Sequence, residues 1–306
     1  MKHFPSYAFT ILLFTFVAKN SNAEEPAQLD LIVGLSKPPY IIEELQSGFE
    51  IELISHVLSQ MKIEPTFLYV PLGRSMNLLD RNVGQALLTV NKNIVADDKH
   101  RTEPYVTYQN VAISLAENKI KLTHIKELPK YRVAAFQMAN RYLGKAYSRA
   151  VKNSQHYLEV PNQFRQVKLF LEKRVDVVVM DINIFNYYLK KIEGELNNTQ
   201  VDVHYIFPRN PYSLAFKDPK YVTSFNYQLG LFKRSPLYKS LLEKYKLQSQ
   251  WTAKYFLQHS IKKGRYAAFL NLILNITLLM YSNKQRGVCF AVIDFIFFAI
   301  QTLYKQ

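Results

Sequence analysis

Between residues 29 and 207 the chain alternates short, continuous apolar runs with longer stretches in which apolar residues return every three or four positions. The first kind of run reads as strand and the second as amphipathic helix. Residues 29–35 form a first strand, and a helix follows over 49–61, where Ile51, Leu53, Ile54, Val57, Leu58 and Met61 share a face. A strand over 65–70, a short helix over 75–81 and a strand over 86–90 complete a β-α-β-α-β order. That order predicts a parallel sheet with right-handed crossovers. The cycle then restarts: strand 131–136, helix 141–151, strand 157–160, helix 163–173, strand 175–180, helix 184–191 and strand 201–207. Residues 108–128 separate the two cycles, so two α/β units are expected. Residues 211–217 read as a strand returning to the first unit, and 222–245 as mostly helical.

One run stands out: Arg174-Val175-Asp176-Val177-Val178-Val179-Met180-Asp181. Near-continuous β-branched residues predict a strand covered on both faces, as in a parallel sheet between helix layers. In open α/β sheets ligands bind beyond the carboxyl ends of the strands, which places Asp181 at a crevice. The same carboxylate is also suited to cap the following helix. Asp176, at the start of the run, is read as structural, and Asn162 and Gln163 as secondary pocket candidates.

The ends differ from this middle. Lys2 and His3 precede an apolar run over 8–18, and Ser21-Asn22-Ala23 supplies small residues at the positions a signal peptidase reads. Residues 1–23 are therefore expected to be a secretory signal peptide, with an N-terminal anchor as the alternative. No Cys follows the run, which argues against a lipoprotein. After Gly264, residues 267–281 and 288–300 are apolar and are split by a polar stretch. Neither reaches the roughly 20 residues of an upright membrane span. Residues 263–306 are read as an apolar helical extension; a membrane hairpin, a tilted span and a buried helix pair all stay open, though Asp294 weakens a lipid-exposed placement.

Composition narrows the chemistry. The 306 residues carry 39 Lys and Arg against 24 Asp and Glu, a formal charge of +15, with 48% hydrophobic residues. The basic residues are spread among the acidic ones without zinc spacing or an RNA-binding signature, so no nucleic-acid partner is expected. The sole cysteine, Cys289, excludes an intramolecular disulfide and a thiolate metal cluster. No His pair at metal-ligand spacing, no Gly-x-Ser-x-Gly elbow and no phosphate loop occurs, so neither metal nor cofactor is expected. Glu43 and Glu44, and Glu50 with Glu52, are the paired carboxylates. Glu50 and Glu52 stand two apart and share no helix face, and a favourable interaction with the helix N-terminus accounts for them.

Pro38-Pro39-Tyr40, the stretch Gly48-Phe49-Glu50-Ile51-Glu52-Leu53 and the run ending at Asp181 together resemble the family 3 (polar amino acid) extracytoplasmic solute-binding proteins, over roughly residues 29–246. The resemblance implies an α/β, two-lobed periplasmic binding protein type II fold, here with the apolar C-terminal tail. Residues 24–112 would begin lobe 1, 113–207 would form lobe 2 and 208–262 would complete lobe 1. It implies a monomeric periplasmic binder rather than an enzyme, which captures a small polar, amine-bearing solute between closing lobes for an inner-membrane ABC permease. A ligand-sensing module without transport is the alternative, and a lyase or dehydratase on the same fold a weaker one, with Glu43, Glu44 or Asp181 as its acid. Membrane contact would come through the tail. Tyr40 would pack on the solute, Arg74 in Pro71-Leu72-Gly73-Arg74 would hold a carboxylate, and Asp181 would receive an ammonium group. Asn91, Gln137 and Asn140 complete the candidate set, with helix capping as the other reading of Asn140.

The chain departs from the family pattern at three places. The arginine that clamps a solute carboxylate, expected in a Thr-x-x-Arg before Glu103-Pro104-Tyr105, has no counterpart in residues 93–98; Lys99 and Arg101 stand nearby but shifted. Phe136-Gln137-Met138-Ala139-Asn140 replaces a Gly- and Ser/Thr-rich turn. Gln85 stands where the family places Asp.

Overall fold

The computed structural model describes residues 26–194 and 198–247. The expected signal peptide and the apolar extension lie outside the described residues. Two five-stranded sheets organise the chain, each flanked by helices.

The first sheet has the order β2-β1-β3-β10-β4. Its strands β1 (Ala27–Gly34), β2 (Ile63–Val70) and β3 (Ala86–Val90) run parallel, as the β-α-β-α-β order requires. Helix α1 (Phe49–Ser59) and helix α2 (Leu72–Asp80) make the crossovers. The face of α1 picked out by periodicity is the buried one: Ile51, Leu53, Ile54, Val57 and Leu58 are all inside. The sheet is mixed rather than purely parallel, because β10 (Asn210–Phe216) lies antiparallel between β3 and β4 (Val106–Tyr108). The segment 211–217 therefore does return to the first sheet.

The second sheet has the order β7-β6-β8-β5-β9. Strands β6 (Val133–Phe136), β7 (Tyr157–Val160) and β8 (Val177–Asp181) are parallel, while β5 (Asn110–Leu115) and β9 (Val201–His204) are antiparallel additions at one side. Helices α5 (Gln163–Leu171) and α6 (Ile182–Glu193) cover this sheet. Val177 to Met180 are completely buried, so the β-branched run is covered on both faces. Asp176 at its start accepts from Nε and Nη2 of the Arg132 guanidinium, the structural role expected of it.

Four expectations need correction. Strands β4 and β5 fall across residues read as a separator or left unassigned, because Gln109 and Asn110 interrupt the apolar pattern there. The helix expected over 141–151 is two pieces, α3 (Ala139–Tyr142) and α4 (Lys145–Val151), divided at Gly144, whose φ of 84° lies outside helical space. The strand expected over 201–207 ends at His204. The C-terminal helical stretch is also two helices, α7 (Lys220–Lys233) and α8 (Pro236–Lys244). Ser235 starts α8 by accepting from the Tyr238 N–H, and Pro236 follows where no N–H is needed.

The chain passes from the first sheet to the second between Tyr108 and Asn110, and returns between His204 and Asn210. The expected boundary at 112 falls inside β5. The two crossings lie side by side: Asn210 pairs with Tyr108, and the Gln109 side chain donates to the carbonyl of Phe207 at 3.1 Å.

Candidate binding cleft

Strand ends from both sheets converge on one crevice. Lys37 follows β1, Tyr108 closes β4, Asn110 opens β5, Asp181 closes β8 and Tyr212 lies on β10; Tyr142, the last residue of α3, completes the wall. All six are buried. The antiparallel register of β5 and β8 sets Asn110 directly opposite Asp181, so two polar groups from adjacent strands face the same space. That space is about 20 Å³, room for about one water molecule, because tyrosine rings fill it.

Asp181 does two things. Its Oδ1 accepts from the N–H groups of Asn183 (2.8 Å) and Ile184 (3.2 Å), capping α6, and its Oδ2 accepts from the Gln109 N–H (2.9 Å). A carboxylate offers about four acceptor positions, and the buried Tyr40 hydroxyl adds a side-chain hydrogen bond to these three. Burial pushes the Asp181 carboxyl up to about 7, against the lowering effect of those same hydrogen bonds.

Glu50 anchors the tyrosines. It is fully buried at the start of α1 and accepts from the hydroxyls of Thr89, Tyr105 and Tyr108. The expectation that it merely complements the helix N-terminus is therefore corrected, whereas Glu52 points the other way, to Lys244 at 2.7 Å and to the Tyr245 hydroxyl. Held by Glu50, the Tyr108 ring stacks on Tyr40 with centroids 4.0 Å apart and meets Tyr212 edge-on at 4.8 Å. Such pairs contribute about 0.5–1.5 kcal/mol each beyond their burial.

Lys37 is the basic side chain of the cleft. It is 4% exposed, its ammonium lies 5.6 Å from the Tyr108 ring centre, and among the described residues it has neither a hydrogen-bond nor an ion-pair partner for that ammonium. Burial pulls its pKa below the ordinary lysine value, and the charges of Glu50 and Asp181 push it partly back.

No protein-family model and no curated protein sequence matches the chain. Solved structures do. An ancestral arginine-binding protein bound to arginine superposes with a TM-score of 0.60 at 17% identity, over 72% of this chain and 99% of that one. A histidine kinase sensor domain with similarity to periplasmic binding proteins gives 0.61 at 15% identity, over 72% and 96%. An arginine transport-system periplasmic binding protein from Legionella pneumophila gives 0.56 at 16% identity, over 72% and 99%. The chain has the periplasmic-binding-protein fold.

Within that fold the expected site residues scatter. Asp181 lines the cleft. Tyr40 is 1% exposed but stands behind Tyr108, with its hydroxyl accepting from Asn183 Nδ2 at 2.7 Å. Gln137 sits at the rim, where its Oε1 accepts from the Gly73 N–H at 3.2 Å. Asn91 is buried and donates to the Tyr142 carbonyl (3.0 Å) and to Asn210 Oδ1 (2.9 Å). It lines a separate, open groove of about 700 Å³ beside the chain crossings. Arg74 is exposed on α2. Asn140 is exposed too and caps nothing; Met138 holds the position before α3, and the Asn140 N–H donates to Glu159.

Arg101, the displaced clamp candidate, is tied to its own loop through the Val95 carbonyl and Asp98, and lines the open groove rather than the cleft. Glu43 and Glu44 form a 3-10 turn outside the cleft, with Glu44 accepting from the Ser36 hydroxyl at 2.9 Å. Gln163, a secondary candidate, does reach the cleft. Sequence reasoning missed Lys37, Tyr108, Asn110, Tyr142 and Tyr212. Of these only Lys37 had a local signal, a cation at the end of a strand and directly before the stiff Pro38-Pro39 pair.

Among the described residues no helix is long and apolar enough to cross a membrane, and no group of three or more His, Cys, Asp or Glu residues is placed to hold a metal ion.

Proposed function

We propose that this chain is a solute-binding protein that captures a small polar, amine-bearing molecule between two closing lobes. Residues 24–112 and 208–262 would form the first lobe and 113–207 the second. The observation that carries this reading is the buried Asp181 carboxylate facing a crevice whose walls come from both sheets. A buried carboxylate at a crevice suits an ammonium group.

The two halves are drawn together around it. Asn183 donates to Tyr40, the Tyr188 hydroxyl donates to the Ser36 carbonyl at 3.2 Å, the Gly73 N–H donates to Gln137, and Asn93 Nδ2 donates to the Tyr142 carbonyl at 3.1 Å. With room for about one water inside, this arrangement corresponds to a shut state, and a solute would enter after the halves part on the paired crossings. Solute binding then shifts the open–shut population, and the shut form is what a partner would read.

Delivery to an ABC permease is the first use of such a cycle, with the chain exported by its signal peptide to the periplasm. The similarity to a histidine kinase sensor domain favours a second use, ligand sensing without transport. Thermal-shift screening of the purified chain against amino acids, polyamines and small carboxylates tests the binding reading. At a hundredfold excess over Kd a ligand adds about 2.7 kcal/mol to apparent stability, and Asp181→Ala should lose that shift. A panel without a single stabilising member would count against a binding role. Uptake of the labelled solute by cells with and without the chain separates transport from sensing.

A further inference from the structure

The stacked pair of Tyr40 and Tyr108 separates the cleft from a second cavity. Tyr108 lines the cleft, whereas Tyr40 lines this other space, which measures about 270 Å³. Small-molecule sites begin at a comparable size, about 300 Å³. Helices α7 and α8, the loop into β4 and β4 itself form most of the wall. Asn183, at the start of α6, brings in the second half.

This cavity differs from the cleft in its chemistry. Four rings line it, those of Tyr40, Phe49, Tyr105 and Tyr238. The hydroxyls of Tyr40 and Tyr105 are committed to Asn183 and to Glu50, so what these two rings offer the cavity is apolar surface. Two cations also line it, Lys233 and Arg209, and no Asp or Glu does. Lys233 reaches from α7 to the Pro104 carbonyl at 2.7 Å, which spends one of its three N–H donors on a neutral acceptor. Among the described residues no ion pair holds that ammonium. Glu103, the acid whose charge it feels, is exposed and lines the neighbouring open groove instead. Burial pulls the Lys233 ammonium below the ordinary lysine value. A partly desolvated cation beside apolar rings is compensated when an anion is brought to it.

We propose that this cavity is a second binding site, for a small aromatic carboxylate whose charge meets Lys233 and whose ring lies against Phe49, Tyr105 and Tyr238. The ring would gain the offset or edge-on contacts that aromatic side chains favour. The charge-assisted hydrogen bond to Lys233 would fix its orientation. An amine is disfavoured here, since both lining cations repel it. The guest is thus opposite in character to the one the Asp181 crevice suits, and the site does not depend on what the cleft holds.

Four probes test this: 3-phenylpropionate, its amide 3-phenylpropanamide, the amine 3-phenylpropylamine, and acetate as a carboxylate without a ring. In calorimetric titration of the purified full chain, 3-phenylpropionate should bind about tenfold or more tighter than each of the other three. Lys233→Met should weaken it by about tenfold while the circular dichroism spectrum stays unchanged. Thr107→Trp, at the exposed rim on β4, should fill the space and abolish binding. Asp181→Asn, in the cleft, should leave the affinity for 3-phenylpropionate unaltered, which separates this site from the cleft. Should Lys233→Met fail to fold, Lys233→Gln takes its place, and Thr107→Trp with the acid–amide comparison decides alone. Amide or acetate bound as tightly as the acid, undiminished affinity in Lys233→Met or Thr107→Trp, or loss of binding in Asp181→Asn would overturn the proposal. Silence of 3-phenylpropionate at millimolar concentration would overturn it too, and would leave the solute-binding reading intact.

Discussion

Two buried carboxylates of this chain behave differently because their neighbours differ. Glu50 collects three hydroxyl hydrogen bonds, and Glu50→Ala would strand the hydroxyls of Thr89, Tyr105 and Tyr108 in the interior. Each stranded donor costs about 1–3 kcal/mol, so urea unfolding should show a loss of several kcal/mol, while Glu52→Ala, on the exposed side of α1, should cost under about 1 kcal/mol. Asp181 is held mostly by backbone N–H groups, yet burial dominates and raises its carboxyl to about 7. The folded chain thus keeps a proton that the unfolded chain releases from about pH 4 upward. Stability falls as pH rises from about 4 to 7, by at most about 1.4 kcal/mol per pH unit, and levels off above that window. Asp181→Asn should remove this slope, which the difference in urea midpoints between the two proteins across pH 4.5 to 7.5 measures.

At the scale of elements, the start of α1 is what brings Glu50 inward. Gly48 precedes the helix with a φ of 122°, and a Cβ there would lie 2.4 Å from the Tyr40 carbonyl oxygen. Gly48→Ala is expected to cost about 1–3 kcal/mol, read from thermal unfolding, and to disturb the Tyr40–Tyr108 stack that rests on this corner. The α3–α4 break does comparable work in the second half. It stops α3 at Tyr142, whose ring then leans on Tyr212 at 6.0 Å and closes the cleft wall. A continuous helix through Gly144 would carry that carbonyl away from Asn91 and Asn93.

On the scale of the whole molecule, at least five side-chain-mediated bonds among the described residues join the halves around a nearly filled cleft. Each contributes about 0.5–1.5 kcal/mol, so removing two shifts a balanced open–shut population by roughly tenfold or more. The Asn183→Ala, Tyr188→Phe double variant should therefore scatter X-rays as a larger particle than the unaltered chain in the absence of solute. An unchanged radius of gyration would mean that packing of the tyrosines alone keeps the halves shut.

Periodicity in the sequence determined the helices and the parallel core of each sheet, because burying one face of a helix or both faces of a strand leaves its mark on consecutive residues. Ile51, Leu53, Ile54, Val57 and Leu58, and Val177 to Met180, are buried as that pattern requires, and Asp181 was found by its place at a strand end. The antiparallel strands β4 and β5 carried no such mark, since Gln109 and Asn110 turn their polarity towards the crossings instead of towards solvent. The tertiary structure alone decided the members of the cleft. Lys37, Tyr108, Tyr142 and Tyr212 lie far apart along the chain, and the three tyrosines look locally like core residues. Only the meeting of two sheets over paired crossings sets a lysine, a carboxylate and a wall of tyrosines around one space, and no local pattern can encode a contact whose partner is a hundred residues away.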